Sequence, residues 1–337
     1  MSKPILVASV PRACSTAFER VFMTRTDVLN CHHEPFGEPF YYGPERLGSR
    51  FDGETSETKA LRDDTGFSHL TYKDIVDQLL YKSPENLQQR RLFIKDISTH
   101  LVPPPGKPGI APSLSAFVTR DYHNDATRTN GTLTKGHVSN GQKKIPLKGR
   151  DSSNPTVLPI SILSQFLVTF LIRHPNSAIP SYYRCTVPPL SDTTGFHYFD
   201  PAEAGFREAR ILLQFLIESG LLKKEDVVLV DADDLLDNPR AVVEEYCRRV
   251  GIDFREEMLS WEVKECEEFE KWKGFHEDAM KSGGLKARKT KKKLKSDEEN
   301  FKEWKEKYGE EGAKLIQTTV RENIPDYEWM RQFRIVV

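Results

Sequence analysis

Apolar residues fall along this chain in short runs of strand length rather than in long ones. Residues 5–10 form the first run, and residues 166–172 form the most continuous one. Runs that are continuous rather than alternating predict strands covered on both faces, as in a parallel sheet. Shorter runs at 91–97 and 226–231 predict two further strands. Helical spacing appears between them. Ala17, Phe18, Val21 and Phe22 share one stripe directly after the first run. Residues 70–80 read as an amphipathic helix capped near Thr71. Residues 201–220 repeat the pattern through Phe206, Ile211, Leu212, Phe215 and Leu216, with Gly220 as a stop. A helix opening at Asn238-Pro239 carries Val242, Val243, Tyr246 and Val250 and ends before Gly251. Strands alternating with helices predict an α/β fold, a mainly parallel sheet flanked by helices.

Three stretches depart from this rhythm. Residues 30–43 hold two Glu-Pro dipeptides, aromatics and glycine, and predict an ordered loop. Residues 102–159 are rich in Thr, Ser, Asn and Lys, broken by Pro and Asn-Gly pairs, and predict a flexible or lid-like insertion between two core strands. Tyr122, His123 and Arg128 are its candidate contacts. Residues 286–295 carry seven basic residues in ten, followed at once by Asp297, Glu298 and Glu299. A solvated strip fits this better than a nucleic-acid patch. The segment at about 286–325 reads as charged and helical, with Phe301, Trp304 and Tyr308 on its buried side. The whole, residues 1–337, is taken as one domain.

Composition narrows the partners. The formal net charge of −1 gives no global pull toward nucleic acid or an anionic membrane. No run of 18 apolar residues predicts a membrane span, and nothing before the first strand reads as a secretory signal. Five scattered cysteines without C-x-x-C spacing predict a reduced protein without structural zinc. A cytoplasmic location is the expectation.

The chemistry sits in the turns after the two apolar runs. Residues 11–16, Pro-Arg-Ala-Cys-Ser-Thr, join a strand to a helix N-terminus. Backbone N–H groups and the helix dipole favour an anion there. Ser15 and Thr16 offer hydroxyls, and Arg12 offers a charged fork. Cys14 reads as a small space-filling residue within the loop, with a reactive thiol as the alternative. The turn is not a Walker A loop, because G-x-x-x-x-G-K-[ST] occurs nowhere in the chain. Without it, the hydrophobic-Asp pattern at 229–231 is no Walker B site. The second run ends in Arg173, with Ser181 eight residues on, which suits a second phosphate at the carboxyl end of the sheet.

These two elements together resemble the sulfotransferases that use 3′-phosphoadenosine 5′-phosphosulfate (PAPS). In that family a loop like 11–16 holds the 5′-phosphosulfate, and Cys14 stands where a small residue, often Gly, is usual. An Arg followed eight residues later by a Ser binds the 3′-phosphate, matched here by Arg173 and Ser181. Residues 227–239 resemble the family's late strand, acidic turn and helix. The resemblance spans residues 5–251 and implies a P-loop-like fold. It implies that Arg12, Ala13, Cys14, Ser15, Thr16, Arg173 and Ser181 bind PAPS. Lys286 and Arg288 would close the site from a basic C-terminal loop, and Trp272 would stack on adenine.

Glu34, in a Glu-Pro pair, is similar to the general base of one branch of the family. Its alternatives are ordering its own loop or pairing with Arg12. Lys95 would neutralise the transferring group. His100 is the second candidate base, although the Lys95–His100 spacing is longer than the K-x-H of another branch. His33 is a further acid/base candidate. A metal site from His32, His33, Glu34 and Glu38 is disfavoured, since adjacent residues rarely share one ligand sphere. The implied activity is sulfuryl transfer to a hydroxyl or amine of a small molecule, without a metal. A nucleotide-dependent kinase and a non-catalytic relative are the alternatives.

Overall fold

The computed structural model describes residues 2–81, 89–107, 109–118, 151–263, 266–292 and 295–337. Five strands form one sheet: β1 (Ile5–Ser9), β2 (Leu29–His33), β3 (Arg91–Ile97), β4 (Leu167–Ile172) and β5 (Leu229–Asp231). Their order is β2-β3-β1-β4-β5, and every pairing is parallel. The α/β fold expected from the apolar runs is therefore the observed one. All five residues of β1 are buried, because the strand is central and covered on both faces.

Parallel pairing places every strand's carboxyl end on one edge of the sheet. Ser9 lies level with Ile97 on one side and Leu171 on the other. His33 lies level with Lys95. The loops that begin at Val10, Glu34, Ser98 and Arg173 consequently emerge side by side.

Helix α1 (Ser15–Met23) follows β1 after one turn. Its stripe packs under the sheet, with Phe22 stacked on Phe93 at 4.3 Å and Phe18 edge-on to Tyr246 at 5.0 Å. Burying a side chain of this size is worth about 1.5–3 kcal/mol. Tyr246 belongs to the helix Pro239–Val250, which Asn238 opens and Gly251, at φ 73°, closes. The helix Tyr72–Leu80 carries a capping box between Thr71 and Asp74. The helix Phe206–Glu218 starts only after a short turn, Pro201–Ala204.

Residues 30–43 are more regular than an ordered loop. They supply most of edge strand β2 and a short helix, Gly37–Tyr41. β2 reads Leu-Asn-Cys-His-His, with no run or alternation to announce it, because an edge strand pairs on one side only. Both ends of the 102–159 stretch are fixed: Val157 N–H donates to Leu101 O and Ala111 N–H to Val157 O. Tyr122, His123 and Arg128 lie outside the described residues. The helical segment Asp297–Arg331 breaks at Gly309, with Trp304 buried and Phe301 and Tyr308 half-buried. Among the described residues no helix is long and apolar enough to cross a membrane.

Candidate active site

The loop after β1 turns tightly enough to place two side-chain-bearing residues at positive φ, Arg12 at 63° and Cys14 at 59°. Cys14 occupies the cap position of α1 in the left-handed region, and no side chain caps the helix. That conformation favours glycine. The N-terminus of α1 thus faces the sheet edge with its first turn, Ser15 and Thr16, buried.

The loop after β4 reaches the same place. Val10 N–H donates to Leu171 O at 3.1 Å, which ties the two loop origins together. Arg173 Nη1 donates to Arg12 O at 3.1 Å. His174 caps the helix Pro175–Cys185, which carries Ser181 back over the loop, where its Oγ accepts from Arg12 Nε at 3.1 Å. Arg12 also donates to Phe275 O in the tail. Arg173 Nε is buried without a hydrogen-bond partner among the described residues. A buried guanidinium N–H left unpaired marks a place for an anionic acceptor.

These groups line one cavity of roughly 460 Å³. Arg12, Cys14, Ser15, Thr16, Arg173, Ser181 and Lys286 contribute to its walls, as do Glu34 and His100. Tyr41, Phe196, Trp272 and Phe275 give it an aromatic side. Gly37 makes that side possible, since a Cβ there would meet Trp272 Cζ2 at 2.7 Å. One face of Trp272 lies against Tyr42 at 6.1 Å, and its edge meets Tyr41.

Glu34, at φ 44°, receives its position from β3: its N–H donates to Lys95 O at 2.7 Å. Its carboxylate is ion-paired with Lys95, whose side chain is fully buried, and not with Arg12. Lys95 stands behind Glu34 and is absent from the cavity wall. His100 is held by Asp96, Nδ1 to Oδ1 at 2.7 Å. Glu34 and His100 both therefore remain placed to take a proton. Arg288 is engaged elsewhere, by Asp233 at 2.6 Å and Asp237 at 3.4 Å, and does not line the cavity. Asp231, in the acidic turn, is structural: it caps the following helix and accepts from Tyr327 Oη at 2.7 Å. Burial pushes its carboxyl up to about 6.

One further cluster joins His33, a candidate from the sequence, to Glu19 and His276, which no local pattern marks. His276, from the tail, reaches Thr16, with Nδ1 2.7 Å from Oγ1. It also meets His33, Nε2 to Nε2 at 3.2 Å. His33 Nδ1 lies 2.6 Å from Glu19 Oε2. Burial, reinforced by the charge of Lys95, holds both imidazoles well below their ordinary range, so both are neutral. Burial drives Glu19 the other way, well above the usual carboxyl range. Among the described residues, no group of three His, Cys, Asp or Glu side chains is arranged to hold a metal ion.

Sequence comparison finds similarity to sulfotransferases. Curated relatives include the sulfotransferase ppzF of Metarhizium majus, 30% identical over 194 residues, and its counterpart from Metarhizium rileyi, 29% identical over 194 residues. The chain is related to sulfotransferases. Each match covers 54% of this chain and 56% of the relative, so the chain spans about half the length of the curated relatives it matches. No protein-family model matches. Solved structures that align with it include the sulfotransferase domain from the curacin biosynthetic pathway, at 15% identity and TM-score 0.43, covering 87% of this chain and 93% of that one. The sulfotransferase domain of the Synechococcus PCC 7002 olefin synthase aligns at 16% identity and TM-score 0.35, covering 77% of each.

Proposed function

We propose that the chain transfers a sulfuryl group from PAPS to a hydroxyl, or an amine, of a small-molecule acceptor. The observation that carries this reading is the meeting of the β1 loop, Arg173, Ser181 and Glu34 around one cavity. In this reading Arg12, Ser15, Thr16 and the loop N–H groups hold the 5′-phosphosulfate, and Arg173 with Ser181 holds the 3′-phosphate. Lys286 closes the cavity over the nucleotide. The aromatic side, with Tyr41 and Phe196, takes the acceptor.

The acceptor oxygen forms a bond to sulfur as the bond from sulfur to the bridging phosphate oxygen breaks. The products are the sulfated acceptor and 3′-phosphoadenosine 5′-phosphate. Glu34 accepts the proton released by the acceptor, and Lys95 keeps its carboxylate oriented. Arg12 and the helix N-terminus offset the charge that grows on the departing phosphate. His100, held by Asp96, is the other candidate base.

Calorimetric titration with 3′-phosphoadenosine 5′-phosphate, set against ADP and ATP with and without magnesium, tests the donor. Metal-independent binding of the 3′-phosphorylated nucleotide alone is expected; preference for ATP with magnesium would move the chain to the kinases. Glu34→Gln tests the base. It is expected to cut turnover by about 10²–10⁴-fold while leaving nucleotide affinity in place. Equal loss in both would remove Glu34 from that role, and an undiminished rate would transfer it to His100.

A further inference from the structure

Behind the β1 loop runs a line of buried polar groups, of which the transfer step uses only the last. It begins at Glu19 on α1, passes through His33 at the end of β2 and His276 in the tail, and ends at Thr16 in the loop. The contacts are 2.6, 3.2 and 2.7 Å, and none of the four residues is more than 7% exposed.

Charge balance determines where the proton sits. Lys95 is the cation shared by two carboxylates: it pairs closely with Glu34, and its Nζ lies 4.0 Å from Glu19 Oε2. One buried ammonium does not neutralise two buried carboxylates, so the cluster holds one proton. Glu19 is the carboxylate farther from Lys95 and the more buried of the two. From the other elements around Glu19, Lys95 and Lys271 favour its ionised form, and Glu34 and Asp96 favour its protonated form. Both histidines are neutral, so each carries a single ring proton.

Two hydrogen-bond directions are open to such a line. With the proton on Glu19, Glu19 donates to His33 Nδ1, His33 Nε2–H donates to His276 Nε2, and His276 Nδ1–H donates to Thr16 Oγ1. The Thr16 hydroxyl proton is then free to point into the cavity. With Glu19 ionised, every bond reverses: His33 Nδ1–H donates to Glu19, His276 Nε2–H to His33, and Thr16 spends its proton on His276 Nδ1. Thr16 then turns only lone pairs toward the loop, which an anion there would oppose.

We propose that Glu19, His33 and His276 form an ordered proton wire that sets whether Thr16 donates to an anion bound in the β1 loop. The proton on Glu19 sets the donating direction. The three are positioning residues, acting on the donor through Thr16. The proposal rests on the reading that a phosphosulfate occupies this loop. By linkage, nucleotide binding and protonation of Glu19 favour one another.

The test is nitrogen-15 NMR of the histidine side chains in the full chain with 3′-phosphoadenosine 5′-phosphate, alongside calorimetry from about pH 6 to about pH 10. In the complex, His276 is expected to carry its proton on Nδ1 and His33 on Nε2. The dissociation constant is expected to rise by up to about tenfold per pH unit once Glu19 ionises. Glu19→Gln, which cannot ionise and whose amide NH2 can donate to His33 Nδ1, is expected to keep neutral-pH affinity and flatten the alkaline rise. Thr16→Val is expected to weaken binding and flatten it too. A complex with His276 protonated on Nε2, or a Glu19→Gln profile that parallels the wild type, overturns the wire. The wild-type tautomer decides the matter even if a variant fails to fold. Nucleotide that does not bind at all removes the donor reading and the wire together; nucleotide that binds with the opposite tautomers removes the wire alone.

Discussion

Replacing Arg173 by alanine gives the sharpest test of the donor reading. Arg173 does two separable things. Its Nη1 donates to Arg12 O, which steadies the loop for any 5′-phosphate. Its buried Nε has no partner among the described residues and is the part of the fork left for a ligand. A charge-assisted hydrogen bond is worth about 1.5–3 kcal/mol, so losing the one offered by Nε costs about that much. At about 1.4 kcal/mol per decade, binding of 3′-phosphoadenosine 5′-phosphate is expected to weaken by about 10–100-fold beyond any loss shared with AMP. AMP differs from that nucleotide only by the 3′-phosphate. Its affinity in Arg173→Ala is expected to change by less than about tenfold, reflecting only the lost Nη1 bond. The assay is titration calorimetry of both nucleotides against both proteins. If the two nucleotides lose affinity equally, Arg173 merely holds the loop and the 3′-phosphate reading falls.

Other consequences follow from the same geometry. Lys95→Met leaves the buried Glu34 carboxylate without its cation, which is expected to cost about 3–5 kcal/mol and lower the melting temperature by several degrees; thermal unfolding within a degree of wild type would contradict it. Cys14→Gly relieves a left-handed backbone at φ 59°, ψ 25° and is expected to stabilise the fold by about 1 kcal/mol in denaturant unfolding, with nucleotide affinity retained. A less stable glycine variant would show that the Cys14 side chain contributes more than its backbone costs. The buried histidines act against the fold in acid. His33 and His276 have folded-state pKa values held well below the 6.5 of an unperturbed imidazole, so below about pH 6.5 each binds more protons unfolded than folded and takes stability away as pH falls, while the raised carboxyls of Glu19 and Asp231 act in the opposite sense. In chemical denaturation, the stability of His276→Gln relative to wild type is expected to rise as pH drops from about 7 to about 5; a constant difference would count against the buried pair.

The apolar runs determined most of the architecture. Residues 5–10 and 166–172 are uninterrupted because their strands are covered on both faces, and that requirement is written into the side chains themselves. The meeting of the two loops was legible for a similar reason: Arg12 to Thr16 and Arg173 to Ser181 follow directly on those strands, so local order fixes where they point. The sequence did not determine what depends on which strand lies beside which. β2 passed for a loop because an edge strand needs no apolar pattern. Glu34 looked equally able to meet Arg12, and only the register of β2 on β3, which sets His33 beside Lys95, gave it Lys95 instead. His276 stands 260 residues from Thr16 and 243 from His33, and no local pattern marks a tail that will fold over the first loop. Arg288 lay in the right basic stretch, but Asp233 and Asp237 hold it away from the cavity. Strand identity is a short-range property of the chain, whereas the pairing of buried charges is decided by whichever opposite charge or donor the packed fold brings near, and that is settled only in three dimensions.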